Sequence, residues 1–522
     1  MFLLEEKTKF SDSQLWALQR AYYEQKGVEA WSSGTVPHYI TSNPVVGKTY
    51  AELVLAFLRD LSLKKQSTQT VYLLELGAGH GRFCYHFFKH FEKFYTQSAL
   101  KLPPFCYVLS DFTTSNFEFW KTHPRLGPYL EKGWLDLALF DAEKDTELKL
   151  EYQNKVLGIN SLEQPLIVVA NYFFDSIPQD LFKVQNQQLF DCLVSLHTAS
   201  DPAEQDSTEL LATLELVYEY QTTKFDAYQA SPPIKKLLEE YQKKLSNTHF
   251  LFPKVGLKCI ERLRKLSKKG LLLLSADRGE HHWSKLEAQP LPTRAIHGSF
   301  SLAVNYHAFK TYCTQEQGLA LFPLHQHLSL NLGCLLFLPE ASSYLETNNA
   351  YERFVNDYGP DDFFIQKKFV EQHIEDLSFR DIIATLRLSA YDAQIFLQIS
   401  PHLQGLIDSI TDHERWVLYQ AIHRIWDSYY PLGEDNKLAF ELGNLLFQLR
   451  FYREAIIYYD FSLKIYGLSA IVLYNIALSY CLLDEYSNAL PIIEELKKHN
   501  PENKDLAMLV EKFAPVASHP SK

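Results

Sequence analysis

The chain contains no Cys-x-x-Cys pair. Its seven cysteines, Cys84, Cys106, Cys192, Cys259, Cys313, Cys334 and Cys481, are scattered and odd in number. That pattern excludes a disulfide framework and a cysteine-based zinc site, so they are read as reduced, buried thiols. The "HH" at His281 and the "HQH" at His325 stand alone in the sequence, and no metal is assigned. No apolar window has the roughly 20 residues of a membrane span. The opening "MFLLEEKTKF" carries acids where a signal peptide carries basic residues, so a reducing, cytoplasmic compartment is expected. Long basic runs are missing too: "KKQ" at Lys64 and "RLRKLSKK" around Lys265 are short, and the formal net charge is -12. A nucleic-acid backbone or an anionic membrane is thereby excluded as principal partner.

What is present is an apolar share of 46% against 22% charged residues, the balance of a globular protein, with enough aromatics (14%) for large cores. A chain of 522 residues exceeds one compact core, so two or more domains are expected. "SDSQLWALQRAYYEQKG" predicts a helix capped by Ser11 or Asp12 and stopped at Gly27, and Val45 to Leu63 a second, amphipathic one. Strand-like and helix-like runs then alternate. "VYLLEL", "FCYVLSD", "WLDLALFD" and "PLIVVANYF" read as buried strands, with "FCYHFFKHFEKFY" and "NFEFWKTH" as helices between them. Such alternation predicts a parallel sheet covered by helices.

After the fourth strand, "FKVQNQQLFDCLVSL" and "LLATLELVYEYQ" read as β-hairpin material and "PPIKKLLEEYQKKL" as a helix, together an insertion at about 183–255. "KGLLLLSADRG", "FSLAVNYHAF" and "HLSLNLGCLLFL" supply the remaining strands, which ends the first domain near Pro339. From about Phe363 only helices are predicted. An offset of 34 residues pairs Gly443 with Ala477, Leu449 with Leu483, Tyr452 with Tyr486 and Ala455 with Ala489. That period is the tetratricopeptide signature. The expected organisation is a helical extension at 1–34, an α/β domain at 35–340, helical linker or divergent repeats at 341–430, tetratricopeptide-like repeats at 431–510 and a tail at 511–522.

The stretch "LLELGAGHGRF" has Gly77, Gly79 and Gly81 at alternate positions between a strand and a helix. Glycine there permits positive φ and lets a ligand lie against the main chain. The dinucleotide fingerprint needs its third glycine one place later, where this chain has Arg82. Glycines at the first, third and fifth positions, after Glu75, instead match class I methyltransferases. The next strands end in Asp111, expected to accept from ribose hydroxyls, and Asp141, expected to meet an adenine amino group or to cap its own turn. The fourth ends in "ANYFFDSIP". These are the carboxyl ends of sheet strands, where open α/β sheets bind ligands.

"LLELGAGHGRF", "ANYFFDSIP", "LLLLSADRG" and "SFSLAVNYHAF", in that order, resemble the MidA-like class I methyltransferases, a family that includes the mitochondrial protein arginine methyltransferase needed for complex I assembly. The resemblance covers roughly residues 35 to 340. It implies a Rossmann-like methyltransferase fold, S-adenosyl-L-methionine as methyl donor and a protein arginine as acceptor. By position it implies that Gly77, Gly79 and Gly81 line the donor, that Asp111 holds its ribose, and that Asn171 to Pro178 border the acceptor. Where the family motif has glutamate, this chain has Tyr172, a departure that weakens an arginine acceptor, because a guanidinium is oriented by carboxylates.

The candidate donor-binding residues are therefore Glu75, Gly77, Ala78, Gly79, Gly81, Asp111, Phe112, Asp141, Ala142 and Asn171. The candidate catalytic residues are Asn171, Tyr172 and Asp175. Methyl transfer is an in-line displacement governed by alignment and needs no covalent nucleophile. Asp175 is a candidate base or a turn cap; Tyr172 either positions the acceptor or fills the pocket. Tyr39, Thr41, Ser42 and Asn43 of "PHYITSNP" are offered to the donor's carboxylate or to an ordinary turn, and His307 is read as a satisfied helix-start histidine. Two functions from different classes remain open, a methyltransferase whose repeats recruit a protein substrate and a silent methyltransferase-fold scaffold that assembles partners through its repeats; a small-molecule methyltransferase with accessory repeats is a third.

Overall fold

The computed structural model describes residues 2–65, 68–199, 201, 205–327, 330–433 and 437–499. The expected tail at 511–522, and residues 500–510 of the expected repeats, lie outside the described residues. The chain divides into two compact units, Met1–Ile365 and Gln366–Lys522.

The first unit is organised by a sheet of seven strands among the described residues. They are β1 (Val71–Leu76), β2 (Phe105–Asp111), β3 (Leu135–Leu139), β4 (Leu166–Asn171), β5 (Leu271–Asp277), β6 (Leu319–Leu321) and β7 (Asn331–Phe337). Their order in space is β3-β2-β1-β4-β5-β7-β6. The first five are mutually parallel, while β7 runs antiparallel to both β5 and β6. Every residue of β1, β2 and β5 is buried, which is why these strands read as mostly apolar runs rather than alternating ones. The order reverses between β1 and β4. A crevice is left there at the carboxyl ends of these two strands.

One expected strand differs. "FSLAVNYHAF" does not enter the large sheet: Ser299–Ser301 pairs with Ala295–His297, and Tyr306–Gln315 is a helix whose cap, Asn305, accepts from the Ala308 amide. The edge strand is β6, only three residues long. The N-terminal segment also differs. Phe2–Lys9 is a strand, and the first helix, α1 (Gln14–Lys26), is capped by Ser13 rather than by Ser11 or Asp12, which lie in a 3-10 turn.

Among the described residues, the insertion and the N-terminal segment together form a second sheet of five strands. Asp180–Gln185 and Gln188–Thr198 make a hairpin around Asn186 and Gln187, both at positive φ. Glu215–Thr222 pairs with one edge of Gln188–Thr198, Phe2–Lys9 with the other, and Thr248–Phe252 with Asp180–Gln185. The start of "LLATLELVYEYQ", expected as hairpin, is helical: Ser207–Thr213, capped by Asp206. The N-terminal strand thus joins the insertion, and α1 follows it to the binding face.

The first unit runs past the expected boundary near Pro339, to Ile365. The reason is a buried carboxylate on α2 (Pro44–Leu63). Asp60 accepts from the amides of Glu346 (3.1 Å) and Thr347 (2.8 Å) and from the Thr347 hydroxyl (2.7 Å), so it satisfies the free donors at the start of helix Leu345–Tyr351.

In the second unit the described elements are helical. α3 (Leu438–Gln448) pairs with α4 (Tyr452–Tyr466), and α5 (Ala470–Leu482) with α6 (Tyr486–His499). A Cβ on Gly443 would stand 2.7 Å from the Tyr459 ring, so a small residue is what lets α3 and α4 close. Among the described residues no helix is long and apolar enough to cross a membrane, and all seven cysteines are free and buried.

Asp60→Ala would strand the Thr347 and Glu346 donors. Hydrogen exchange of the amides in helix Leu345–Tyr351 is expected to lose about 2–3 kcal/mol of protection, and unchanged protection would refute the role given to Asp60.

Candidate functional site

A cavity of about 450 Å³ opens at the carboxyl ends of β1 to β5, within the size range of small-molecule and cofactor sites. Its floor is the turn after β1. Gly77, Gly79 and Gly81 all have positive φ (58°, 54° and 76°), conformations that side chains resist. The Ala78 amide donates to the Ser110 carbonyl (2.9 Å), and the Trp120 indole donates to the Gly79 carbonyl (2.9 Å). A Cβ on Gly77 would stand 2.9 Å from the Phe173 ring, and one on Gly79 would stand 3.0 Å from Trp31. The glycines thus serve the tight turn and the approach of two aromatic rings as well as the cavity.

Eleven of the sequence-proposed residues line this one cavity: Glu75, Gly77, Ala78, Gly79, Asp111, Phe112, Asp141, Ala142, Asn171, Tyr172 and Asp175. Gly81 does not. It caps the helix Arg82–Thr96 behind the floor. Thr41 and Ser42 of the earlier loop also line the cavity, whereas Asn43 is spent as the cap of α2, accepting from Val45 and Val46 amides (3.0 and 3.1 Å). Tyr39 is not a lining residue. His307 meets the Tyr241 hydroxyl at 2.8 Å, away from the lining.

The three carboxylates differ in what they already hold. Asp111 is buried, and each of its oxygens accepts twice. Oδ2 takes the Gly79 amide (3.0 Å) and the Asn116 side chain (3.2 Å); Oδ1 takes the Thr113 amide and hydroxyl (3.0 Å each). Burial raises its pKa despite these donors. With about four lone-pair sites filled, Asp111 is first a clamp on the glycine turn, and the free ribose acceptor expected of it is not what the geometry presents. Asp141 is buried, which opposes its charge, but Lys144 (3.0 Å) and Arg20 (2.8 Å) hold its pKa low. It is paired with cations rather than waiting for an amino group. Glu75 accepts from Tyr107 (2.7 Å), yet burial pushes its pKa up to about 8.

At the other end, β4 delivers Asn171, Tyr172 and Asp175. Tyr50 donates to Asn171 Oδ1, while Asn171 Nδ2 is buried with no hydrogen-bond partner among the described residues. Tyr172 has φ +47°, an uncommon conformation for a bulky residue and one that marks a constrained turn. Asp175 is buried and accepts from Ser176 (2.7 Å); burial raises its pKa to about 6, the Arg278 charge working against that rise. Behind it Asp277 is fully buried and held well above the carboxylate range by burial and by Asp175.

Sequence reasoning missed the residues that close the cavity. Gln19, Arg20 and Tyr23 come from α1, Trp31 from the short helix Glu29–Ser32, His38 from the cap position before the helix Tyr39–Ser42, Arg278 from the turn after β5, and His297 and Ser301 from the small hairpin. Arg20 also lies 4.1 Å over the Phe112 ring. The motif "SADRG" contained Arg278, and its place at a strand end was the available signal. Nothing local marks Arg20, whose ion-pair partners are more than a hundred residues away. Among the described residues, no group of three or more histidine, cysteine, aspartate or glutamate side chains is arranged to hold a metal ion.

No protein-family model matches the chain, and no curated protein matches it. Two solved structures from Burkholderia thailandensis share a partial likeness. One is an uncharacterised COG1565 superfamily protein, 11% identical, with a TM-score of 0.41. The other is a COG1565 superfamily member bound to S-adenosyl-homocysteine, 12% identical, also with a TM-score of 0.41. In each case the likeness covers 65% of this chain and 90% of the other. A likeness of this degree does not assign an activity to this chain.

Glu75 supplies a pH test. Its folded pKa of about 8 lies above the ordinary 4.5, so its contribution is fully present below 4.5 and is lost as pH rises through 8. Glu75→Gln, neutral throughout, is expected to gain in Tm over the parent chain as pH goes from 5 to about 9. A Tm difference that does not change with pH would show that Glu75 ionises normally.

Proposed function

We propose that the chain is an S-adenosyl-L-methionine-dependent methyltransferase. The observation that carries the reading is the cavity at the point where strand order reverses, floored by the positive-φ glycines Gly77 and Gly79 and reached by acidic residues from β1, β2 and the end of β3. The order β3-β2-β1-β4-β5 is that of a doubly wound nucleotide-binding sheet. The reversed β7 and the glycine spacing depart from the dinucleotide type and favour the methyltransferase type.

The residues present fit such a donor. The volume is adequate, Asn171 offers an unpartnered donor group, and main-chain groups of Gly77 to Gly79 line the floor. Gly77, Ala78, Gly79 and Phe112 would hold it, with Asp141 and Arg20 at the β3 end. When bound, it supplies a methyl group on a cationic sulfur. Trp31, Phe83, Phe140 and Phe173 exclude water around it, and Asn171 and Tyr172 orient the acceptor at the β4 end. Asp175, with a pKa of about 6, is suited to accept a proton near neutral pH if the acceptor must lose one. Asp111 works through the turn it clamps.

Recruitment of a protein through α3 to α6, read as tetratricopeptide-like repeats, and an arginine or other nitrogen acceptor, rest on period and resemblance alone. The scaffold reading draws on one observation: Asp111 and Asp141 are satisfied by the chain's own donors. It explains less, because a scaffold needs neither a 450 Å³ cavity nor an unpartnered buried amide inside it.

Calorimetry with S-adenosyl-homocysteine tests the proposal. Binding in the micromolar range is expected for the parent chain, and at least about tenfold weaker binding for Gly79→Val, which crowds Trp31 and strains a positive φ. No heat from either the nucleoside or the methyl donor, with the fold intact by circular dichroism, would remove the enzyme reading and leave the scaffold.

A further inference from the structure

Two arginines line the cavity, and they are treated differently. Arg20, at the β3 end, is neutralised by Asp141 and Glu143, each at 2.8 Å. Arg278, just past the end of β5, is exposed, and its side chain makes no hydrogen bond or ion pair among the described residues. Its main chain is nevertheless anchored: its carbonyl accepts from the Val304 amide (2.9 Å), and the next two residues pair with Val304 and Asn305. Arg278 lines the same cavity as Tyr172, Asp175 and His297. Asp175 is the carboxyl group in this set, and it is buried, committed to Ser176 and not within ion-pair distance of Arg278.

The acceptor end therefore presents more donors than acceptors. Its groups are a free guanidinium and the unpartnered Asn171 amide, which only donate, and the Tyr172 hydroxyl and His297 ring, which act either way, against one partly used carboxyl. A guanidinium acceptor would meet a like charge at Arg278 and would find one carboxylate where it needs two. A planar anion meets the opposite: a fork of parallel N–H donors matched to two oxygens.

Resting on the methyltransferase reading, we propose that the acceptor is a carboxylate, held by Arg278 and methylated on oxygen. As the acceptor's oxygen lone pair forms the O–CH3 bond, the C–S bond breaks and its electron pair goes to sulfur. The anion becomes a neutral ester and the sulfonium a neutral thioether. No proton moves, so this acceptor requires no base. Asn171 and Tyr172 orient the carboxylate by hydrogen bonds, and the neighbouring Arg278 sets its charge preference.

The probes are benzoate and benzamidinium, planar and similar in size but opposite in charge, titrated by calorimetry into the full chain saturated with S-adenosyl-homocysteine. Millimolar binding of benzoate over benzamidinium is expected. In Arg278→Ala, benzoate affinity should drop about tenfold while affinity for the nucleoside stays within about twofold. In a parallel assay, methyl label transferred from the donor in host lysate is expected to be released as methanol by mild alkali. Label retained with protein on a size filter identifies an acidic side chain as the source of the carboxylate, and label that passes identifies a small acid; both support the proposal. Preference for benzamidinium, absence of Arg278-dependent benzoate binding, or alkali-stable label overturns it. So does a loss of nucleoside affinity in Arg278→Ala, which would assign Arg278 to the donor. If the parent chain does not bind the nucleoside at all, the methyltransferase reading itself has failed, a result separate from the others.

Discussion

The arrangement around the cavity depends on one buried carboxylate. Asp111 ends β2, and four hydrogen bonds reach it from the glycine turn, the residue two places on and the following helix. An anion removed from water must be surrounded by donors, and each of those donors is thereby held in place. The turn after β1 is tied at both its amide and its carbonyl side, since Trp120 holds the Gly79 carbonyl. Its left-handed glycines are consequently rigid, and the floor of the cavity is set before any ligand arrives.

Over that floor the charges are unequal along the length of the crevice. At the β3 end, acids and Arg20 neutralise one another. At the β5 end Arg278 has no partner among the described residues, and the nearby carboxyls of Asp175 and Asp277 are held toward the neutral form by burial. The β5 end therefore keeps one cation without an ion-pair partner in a chain whose overall charge is -12. Such an unpaired charge is the kind of feature that selects a ligand.

Much of the fold was legible in the chain. β1, β2, β4 and β5 are buried on both faces, so their runs are mostly apolar and do not alternate. Where pairing was irregular the reading failed. Phe2–Lys9 pairs with two shifts of register, which erase the alternation of an edge strand. "FSLAVNYHAF" has strand-like composition, but Asn305 caps a helix inside it, and β6 is too short to signal itself. The candidate site was legible at strand ends, because parallel topology brings those ends together. It was not legible at Arg20 or Trp31, whose places in the lining depend on contacts with distant segments.

By itself the sequence determined the alternation of strand and helix, the glycine turn, the acids that follow each strand and the helical character of the C-terminal unit. These are local matters of period, backbone freedom and side-chain type. Only the tertiary structure decided which acids are already spent and which cation is left over. Pairing is a property of distances across the fold: Asp141 and Arg20 are 2.8 Å apart in space and lie on separate elements, α1 and the end of β3. Whether a charge is available to a ligand follows from that geometry, and residue type alone does not carry it.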